Sequence, residues 1–326
     1  MVLVLSIKND YSTMQVCEWL HRLGKDFIRI NGDEASVTKF IKFDIHNDEL
    51  LLDYKGTEFN LLSVDSVWYR RSGLGKNLLN IDRKSFLSNH VIADDINYHV
   101  KYHDKEFKIL IDTIYYFLEK KKSLNKNGNA SLNKLITLDL AKKNGLKIPE
   151  SRIFSRKIDL TELLKNKKSV ITKALSEGVY HFTPKNAYYS YTEKLTSTSM
   201  DSLPDTFYPS LIQDEIIKKY ELRVFYLNGT CYPMVIFSQN DSQTEVDFRK
   251  YNLVKPNRMV PFRLNDDVSK NIQGLMKDLD LNSGSIDIVV SSDNDYYFLE
   301  VNPVGQFAMT SEPCNYQLEK KMAEYL

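Results

Sequence analysis

Apolar and polar positions at the start of the chain change period twice. VLVLSI (2–7) is an unbroken apolar run, the pattern of a strand covered on both faces. From Ser12 the period lengthens. Val16, Trp19, Leu20 and Leu23 share a helical stripe, with Ser12 and Thr13 as candidate caps and Gly24 as the stop. DFIRIN (26–31) returns to a strand. Strand, helix, strand over this distance predicts a βαβ unit and a small parallel sheet. ELLLDYKG and TEFNLL read as a hairpin turning at Gly56, SVWYRRSG (66–73) as a strand, and residues 84–121 as largely helical.

SLNKNGNASLNKL (123–135), rich in Asn, Ser and Gly, breaks the pattern and marks a domain boundary. Beyond it, 132–155 gives a helix, a Gly145 stop and a Pro149 turn into a strand, and SVITKAL (169–175) gives another strand. The tract 176–210 is polar and tyrosine-rich, a hairpin with a mobile loop. ELRVFYLNGTCYPMVIFSQ (221–239) is a hairpin turning at Asn228-Gly229, a strong turn signal. A helix over 266–281 precedes a second hairpin, SGSIDIVVSSDNDYYFLEVN (283–302). The expected organisation is an α/β (α+β) chain of three pieces, 1–125, 126–212 and 213–326, the last built on an antiparallel sheet.

Composition acts mainly by exclusion. With 44 Lys plus Arg against 43 Asp plus Glu, the net charge of +1 argues against nucleic acid as the main partner. No apolar run is long enough to span a bilayer, and the first residues lack a basic leader, so no membrane partner is expected. Cys17, Cys231 and Cys314 fit neither a disulfide framework nor a zinc site, and suit a reducing cytoplasm.

Candidate chemistry gathers in the second hairpin. Glu300 and Asn302 leave the end of YYFLEVN on one face, and Pro303 stops the ladder. A turn near residue 294 sets Asp287 roughly opposite residue 301, within a residue or two, as their cross-strand neighbour, so that three oxygen donors converge on one sheet face. Three oxygen donors without His or Cys suit Mg²⁺. The competing reading is a polar strand end with a lone satisfied carboxylate. Lys173 lies inside an apolar strand, where a lysine is costly without a partner, and Lys134 opens a helix. Both are candidates for phosphate oxygens. Arg223 shares a strand face with Glu221, and Arg249 lies in VDFRKYN near Asn252.

This ordered set runs from a lysine before a helix and a lysine in a strand to the linker LIQDEII, ELR, DFRxxN, a strand aspartate and ExN. It resembles the ATP-grasp superfamily, and within it the ribosomal-protein glutamate-ligase branch, over about residues 130–307. STMQVCEWL, FIRIN, VWYRRSG and EVNPVGQF are similar to the graspetide maturases that make microviridin-like and grasp-with-spasm peptides, nearly end to end. The resemblance implies an ATP-grasp fold with an N-terminal pre-ATP-grasp domain, a small central domain and a C-terminal domain. It implies ATP and Mg²⁺ as cofactors. Asp287, Glu300 and Asn302 would be metal ligands, and Lys134 and Lys173 would lie on the α- and β-phosphates. Gln213, Asp214, Glu215 and Ile216 would form the linker whose backbone groups read adenine, and Glu221 would read the ribose, with Asn252 also at the nucleotide. Arg223 and Arg249 would lie near the γ-phosphate and the substrate carboxylate. One departure is the phosphate loop, which has only Gly178 where many relatives are glycine-rich.

The activity so implied is phosphorylation of an Asp or Glu side chain of a ribosomal precursor peptide, leader plus core. Its joining to a Thr or Ser hydroxyl, or a Lys amine, closes a macrocycle. Arg70 and Arg71 are candidates for gripping the acidic core, or else an ion pair at a strand end. Tyr188, Tyr189 and Tyr191 are candidates for the leader, with neighbours near Lys218 and Tyr220, or else packing residues. A homodimer is among the assemblies the resemblance allows. The rival functions are a carboxylate–amine ligase acting on an amino acid or protein tail, and a non-enzymatic ATP-binding scaffold.

Overall fold

The computed structural model describes residues 1–34, 38–71, 74, 96–129, 131–167, 169–176, 178, 180–183, 186–189, 191–239 and 256–326. Its contacts divide the chain into two units, Met1–Ala130 with Gln317–Leu326, and Ser131–Tyr316.

In the first unit β1 (Val2–Ser6), α1 (Tyr11–Arg22) and β2 (Phe27–Asn31) form the expected βαβ unit, with β1 and β2 parallel. The helix starts earlier than its sequence cap suggested. Asp10 is the N-cap, its carboxylate accepting the Thr13 N–H at 3.3 Å. Ser12 and Thr13 are thus helical, and the buried stripe is Thr13, Val16, Cys17 and Leu20. A separate antiparallel sheet holds β3 (Thr38–Asp44), β4 (Glu49–Tyr54) and β5 (Thr57–Asn60). The β4–β5 hairpin turns at Gly56 as read. β3 escaped the reading because a bulge at Ile41 breaks its alternation. β6 (Ser66–Tyr69) pairs on the other side of β1. α2 (Ile96–Leu118) supplies Phe107, Ile114 and Leu118 to a core with Leu3, Leu5, Leu50 and Leu52. β7 (Lys122–Leu124) completes a parallel sheet of order β2-β1-β6-β7. Residues 84–95 of the expected helix lie outside the described residues. The last helix, Leu318–Tyr325, belongs here too: Lys25 Nζ donates to the carbonyls of Ala323 and Glu324, each at 2.9 Å.

The second unit opens with α3 (Lys134–Lys143), capped by Asn133. β8 (Ser151–Arg156), α4 (Lys157–Asn166) and β9 (Val170–Lys173) follow. The tyrosine-rich tract forms the hairpin β10 (Tyr180–Phe182) and β11 (Ala187–Tyr189), then β12 (Glu193–Leu195) and α5 (Ser197–Asp201). β13 (Thr206–Asp214) completes an antiparallel sheet of order β12-β9-β13-β8. A larger antiparallel sheet holds β14 (Lys218–Leu227), β15 (Thr230–Phe237), β16 (Arg258–Pro261), β17 (Ser283–Ser291) and β18 (Tyr296–Asn302). Its order is β16-β15-β14-β17-β18. Asn228 and Gly229 take φ of 42° and 90°, as the tight hairpin turn between β14 and β15 requires. α6 (Asp266–Asp278) joins α3 against one face of this sheet, burying Leu222, Val224, Ile286, Ile288 and Phe298 with Leu138, Ala141, Ile272 and Leu275. α7 (Ala308–Cys314) follows β18.

Candidate nucleotide and metal site

Because side chains alternate, the residues between those core positions face the other way. On β14 these are Glu221 and Arg223, and on β17 they are Ser285 and Asp287. The sequence places Asp287 roughly opposite residue 301, within a residue or two, and on one sheet face with Glu300 and Asn302. The structure shifts that register by one residue. Asp287 pairs with Glu300, and Ser285 with Asn302, while Ile288 pairs with Phe298. Leu299 is the residue left over, a bulge. Without it Glu300 would stand opposite Ile286, in the core. With it, Asp287, Glu300 and Asn302 project from one face. A second bulge, at Lys219, brings Lys218 to the same face as Glu221 in the same way.

Arg223 stands opposite Asp287 on the neighbouring strand, making a row of Arg223, Asp287 and Glu300 across three strands. Arg223 Nη1 lies 2.6 Å from both Asp287 oxygens. Lys134 Nζ is 3.2 Å from Glu300 Oε2 and donates to the Ala174 carbonyl at 2.9 Å. One ammonium thereby ties the start of α3 and the chain just past Lys173 to the end of β18. Lys173 itself is half-buried, opposite Leu211. The Gly305 N–H donates to the Asn302 amide oxygen at 3.4 Å. Gly305 has φ +60°, and a Cβ there would come within 3.1 Å of the Phe225 ring.

Two carboxylates and an amide oxygen suit a hard cation that keeps water or phosphate oxygens in its other positions. Among the described residues no three His, Cys, Asp or Glu side chains gather around a point, so the third protein donor would be the Asn302 amide. Arg223 Nε is buried with no hydrogen-bond partner among the described residues. A buried orphan donor is rare, and beside two carboxylates it faces chemistry that an anionic ligand would satisfy.

The expected adenine segment runs from the end of β13. Gln213 is buried. Its Nε2 donates to Ser151 Oγ at 2.7 Å, while its Oε1 has no partner among the described residues. The Asp214 carboxylate is committed to Arg152 at 3.0 Å and Lys167 at 2.6 Å, so its side chain is structural. Glu215 pairs with Lys194 at 2.7 Å. Burial pushes its carboxyl up, but Lys194 and a Ser169 hydrogen bond outweigh it and hold the group below its ordinary value. Ile216 lies in the link between β13 and β14. Glu221 is buried. Burial raises its carboxyl above the ordinary value, against the pull of Lys218 and Ser238.

The peptide candidates fall elsewhere. Arg70 is 2% exposed, and its Nε donates to Asp10 at 3.0 Å, so its guanidinium is committed within the first unit. Arg71 donates to the same carboxylate oxygen at 3.2 Å and is only partly covered. Tyr188 on β11 is 53% exposed, Tyr189 lies on the same strand, and Tyr191 is half-buried. Lys218 and Tyr220 do not extend this surface. The Lys218 side chain is turned in against Glu221, and Tyr220 packs on the rings of Phe237 and Phe262. Arg249 and Asn252 lie outside the described residues. Sequence reasoning passed over Ser238, whose only signal was its place at the end of an apolar strand.

Residues 131–326 match the family model of the RimK-like ATP-grasp domain, and residues 1–91 that of the MvdD pre-ATP-grasp domain. Among solved structures, the chain is similar to a RiPP-associated ATP-grasp ligase of Chryseobacterium gregarium, solved with ADP and a leader and core peptide. Identity is 23%, coverage 99% of this chain and 94% of that one, and the TM-score 0.79. It is also similar to the macrocyclase MdnC of Microcystis aeruginosa MRC bound to the precursor peptide MdnA, at 23% identity, 100% and 98% coverage and a TM-score of 0.76. The ligase PsnB with minimal precursor, Mg and ADP matches at 15% identity, 99% and 95% coverage and a TM-score of 0.72. At these identities the likeness is one of fold. No curated protein matches the sequence. Among the described residues no helix is long and apolar enough to cross a membrane.

Proposed function

The chain belongs to the RimK-like ATP-grasp family, and from that premise we propose that it is an ATP-dependent ligase that closes side-chain rings in a ribosomally made precursor peptide. The observation that carries the peptide assignment is the match of residues 1–91 to the MvdD pre-ATP-grasp domain, in a chain whose likeness to peptide-bound ligases runs end to end. ATP and such a peptide meet in the cytoplasm, where the activity is placed.

An Asp or Glu carboxylate of the peptide attacks the γ-phosphorus, ADP departs, and an acyl phosphate forms. A Thr or Ser hydroxyl, or a Lys amine, then attacks the acyl carbon. Its proton is lost to solvent or a base and phosphate leaves, so each ring costs one ATP and removes one water. Asp287, Glu300 and Asn302 would hold Mg²⁺, which when bound supplies positive charge to the phosphate oxygens. Lys134 and Lys173 are assigned to the nucleotide's phosphates. Arg223 and Arg249 are assigned to the γ-phosphate and the substrate carboxylate. A guanidinium suits both, since its planar fork grips two oxygens at once. Tyr188, Tyr189 and Tyr191 are assigned to the leader, and the exposed part of Arg71 to an acidic side chain of the core.

The test incubates the protein with a candidate precursor, ATP and Mg²⁺, and follows ADP and peptide mass. Ring closure gives ADP only with peptide and a product lighter by one water per ring. The RimK-like match supports a second reading, addition of an amino acid to a tail, which would make the product heavier instead.

A further inference from the structure

We infer that Lys218 and Ser238 form a clamp that fixes Glu221 for recognition of a ribose hydroxyl, making Lys218 a specificity-determining residue of the nucleotide site. This rests on the ATP-grasp reading above. Lys218 and Glu221 side chains are 9% and 10% exposed, and Lys218 Nζ donates to Glu221 Oε1 at 2.7 Å. Ser238 Oγ, fully buried at the end of β15, donates to that same oxygen at 2.7 Å. Gln239 Nε2 in turn donates to Ser238 Oγ at 3.2 Å, which orients the hydroxyl. Two donors converge on Oε1, and Oε2 accepts no hydrogen bond among the described residues. A buried carboxylate with one oxygen doubly held and the other unclaimed presents a single, aimed acceptor. Its complement is a neutral donor such as a sugar hydroxyl. A phosphate or carboxylate would be repelled.

The geometry depends on the bulge at Lys219. A regular β14 would turn Lys218 to the opposite face and leave Glu221 buried without its cation. The other charges near Glu221 leave the role to Lys218. Asp287 acts on Glu221 only at a distance and repels its charge, while Arg223 Nη1 is committed to Asp287. Glu215, which also feels Lys218, is paired with Lys194.

Equilibrium binding of ATP, 2′-deoxyATP and 3′-deoxyATP to the full chain with Mg²⁺ tests this. In the unaltered protein at least one deoxy analogue should bind about ten- to a hundredfold more weakly than ATP, because the aimed acceptor is left unpaired. In Lys218→Met all three nucleotides should bind within about twofold of one another. Ser238→Ala removes one hydroxyl without touching the lysine, and should give an intermediate ratio even if the lysine variant fails to fold. The ratio is the readout because a loss of fold lowers all three affinities together. A wild-type preference that survives in both variants overturns the clamp alone. Equal binding of all three by wild type overturns ribose recognition by Glu221. A wild type that binds no nucleotide overturns the ATP-grasp reading itself, and the clamp with it.

Discussion

Arg70, just past a strand, and Arg223, within one, are both buried, and each is paired with an aspartate, yet their surroundings end differently. Arg70 lies past β6 with its guanidinium 5.7 Å from the Trp68 ring centre, bonded to an Asp10 that also caps α1. Burial pushes its guanidinium down to about 10, and Asp10 opposes that shift. Burial likewise raises Asp10, but Arg70, Arg71 and the Thr13 N–H outweigh it and hold the carboxyl below its ordinary value. Arg223 holds Asp287 with one nitrogen only and keeps a buried Nε without a partner among the described residues. The same ion pair thus closes off one region and leaves a donor over in the other. The first arrangement fastens a helix to a sheet. The second leaves binding capacity beside two carboxylates.

The largest expected effect comes from the open side. Glu300→Gln should lower turnover by about a thousandfold, because it weakens a metal ligand and leaves Lys134 without its counter-charge. The thermal midpoint should stay near wild type, since the residue sits at a strand end. Near-normal release of ADP with peptide would remove Glu300 from the metal site.

Next is the closed side. Asp10→Ala should destabilise the first unit by about 3–5 kcal/mol, since it strands a buried guanidinium and removes a cap. Urea unfolding followed by Trp fluorescence measures it. Asp10 also carries a pH signature. Its folded value is depressed, so its stabilisation is present above the unfolded value near about 4 and is lost as pH falls through the lower folded value. Asp10→Asn should flatten that acid limb. Arg223→Met should instead lose activity while costing less stability than Arg70→Met. Equal stability losses would erase the distinction between the two arginines.

Lys173→Ala should weaken binding of a non-hydrolysable ATP analogue by roughly tenfold while leaving peptide affinity alone, as calorimetry would show. The smallest effect is expected from replacing Tyr188, Tyr189 and Tyr191 together by serine. Precursor affinity should fall several-fold with ATP affinity and the midpoint unchanged, a pattern distinct from loss of core packing. A large drop in the midpoint would assign the three rings to the fold.

What was readable in the sequence was local. Asn228-Gly229 announces its turn because the needed φ values belong to those two residues. The unbroken apolar run in Val2–Ser6 and the stripe in α1 likewise carry their own burial. The pairing of Arg70 with Asp10, separated by 60 positions, depends on two strands meeting and has no local signature. The same holds for the bulges. The turn alone sets Asp287 opposite 301 and not opposite Glu300, and nothing local to Lys218 shows that it faces Glu221. One residue looped out of each ladder, Leu299 and Lys219, sets both, and beside them Phe298 packs in the core with Ile288 and Tyr220 lies against Phe237. The order of these residues along the chain carried the family resemblance, and the exact register that sets Asp287 opposite Glu300 was not written in it.

The bulge at Leu299 makes this hairpin tolerant of one deletion and intolerant of its own repair. Replacing Leu299 with another apolar residue changes one half-buried side chain. Deleting it gives a regular ladder in which Glu300 still stands opposite Asp287 and Asn302 opposite Ser285, so the charged face keeps its members. Drawing Leu299 into the ladder without removing it turns over everything that follows: Glu300 enters the oily side of the sheet, Val301 takes its place among the charges, and Asn302 follows Glu300 inward. A slip of one position is therefore equivalent to several simultaneous polarity reversals, although no residue has changed.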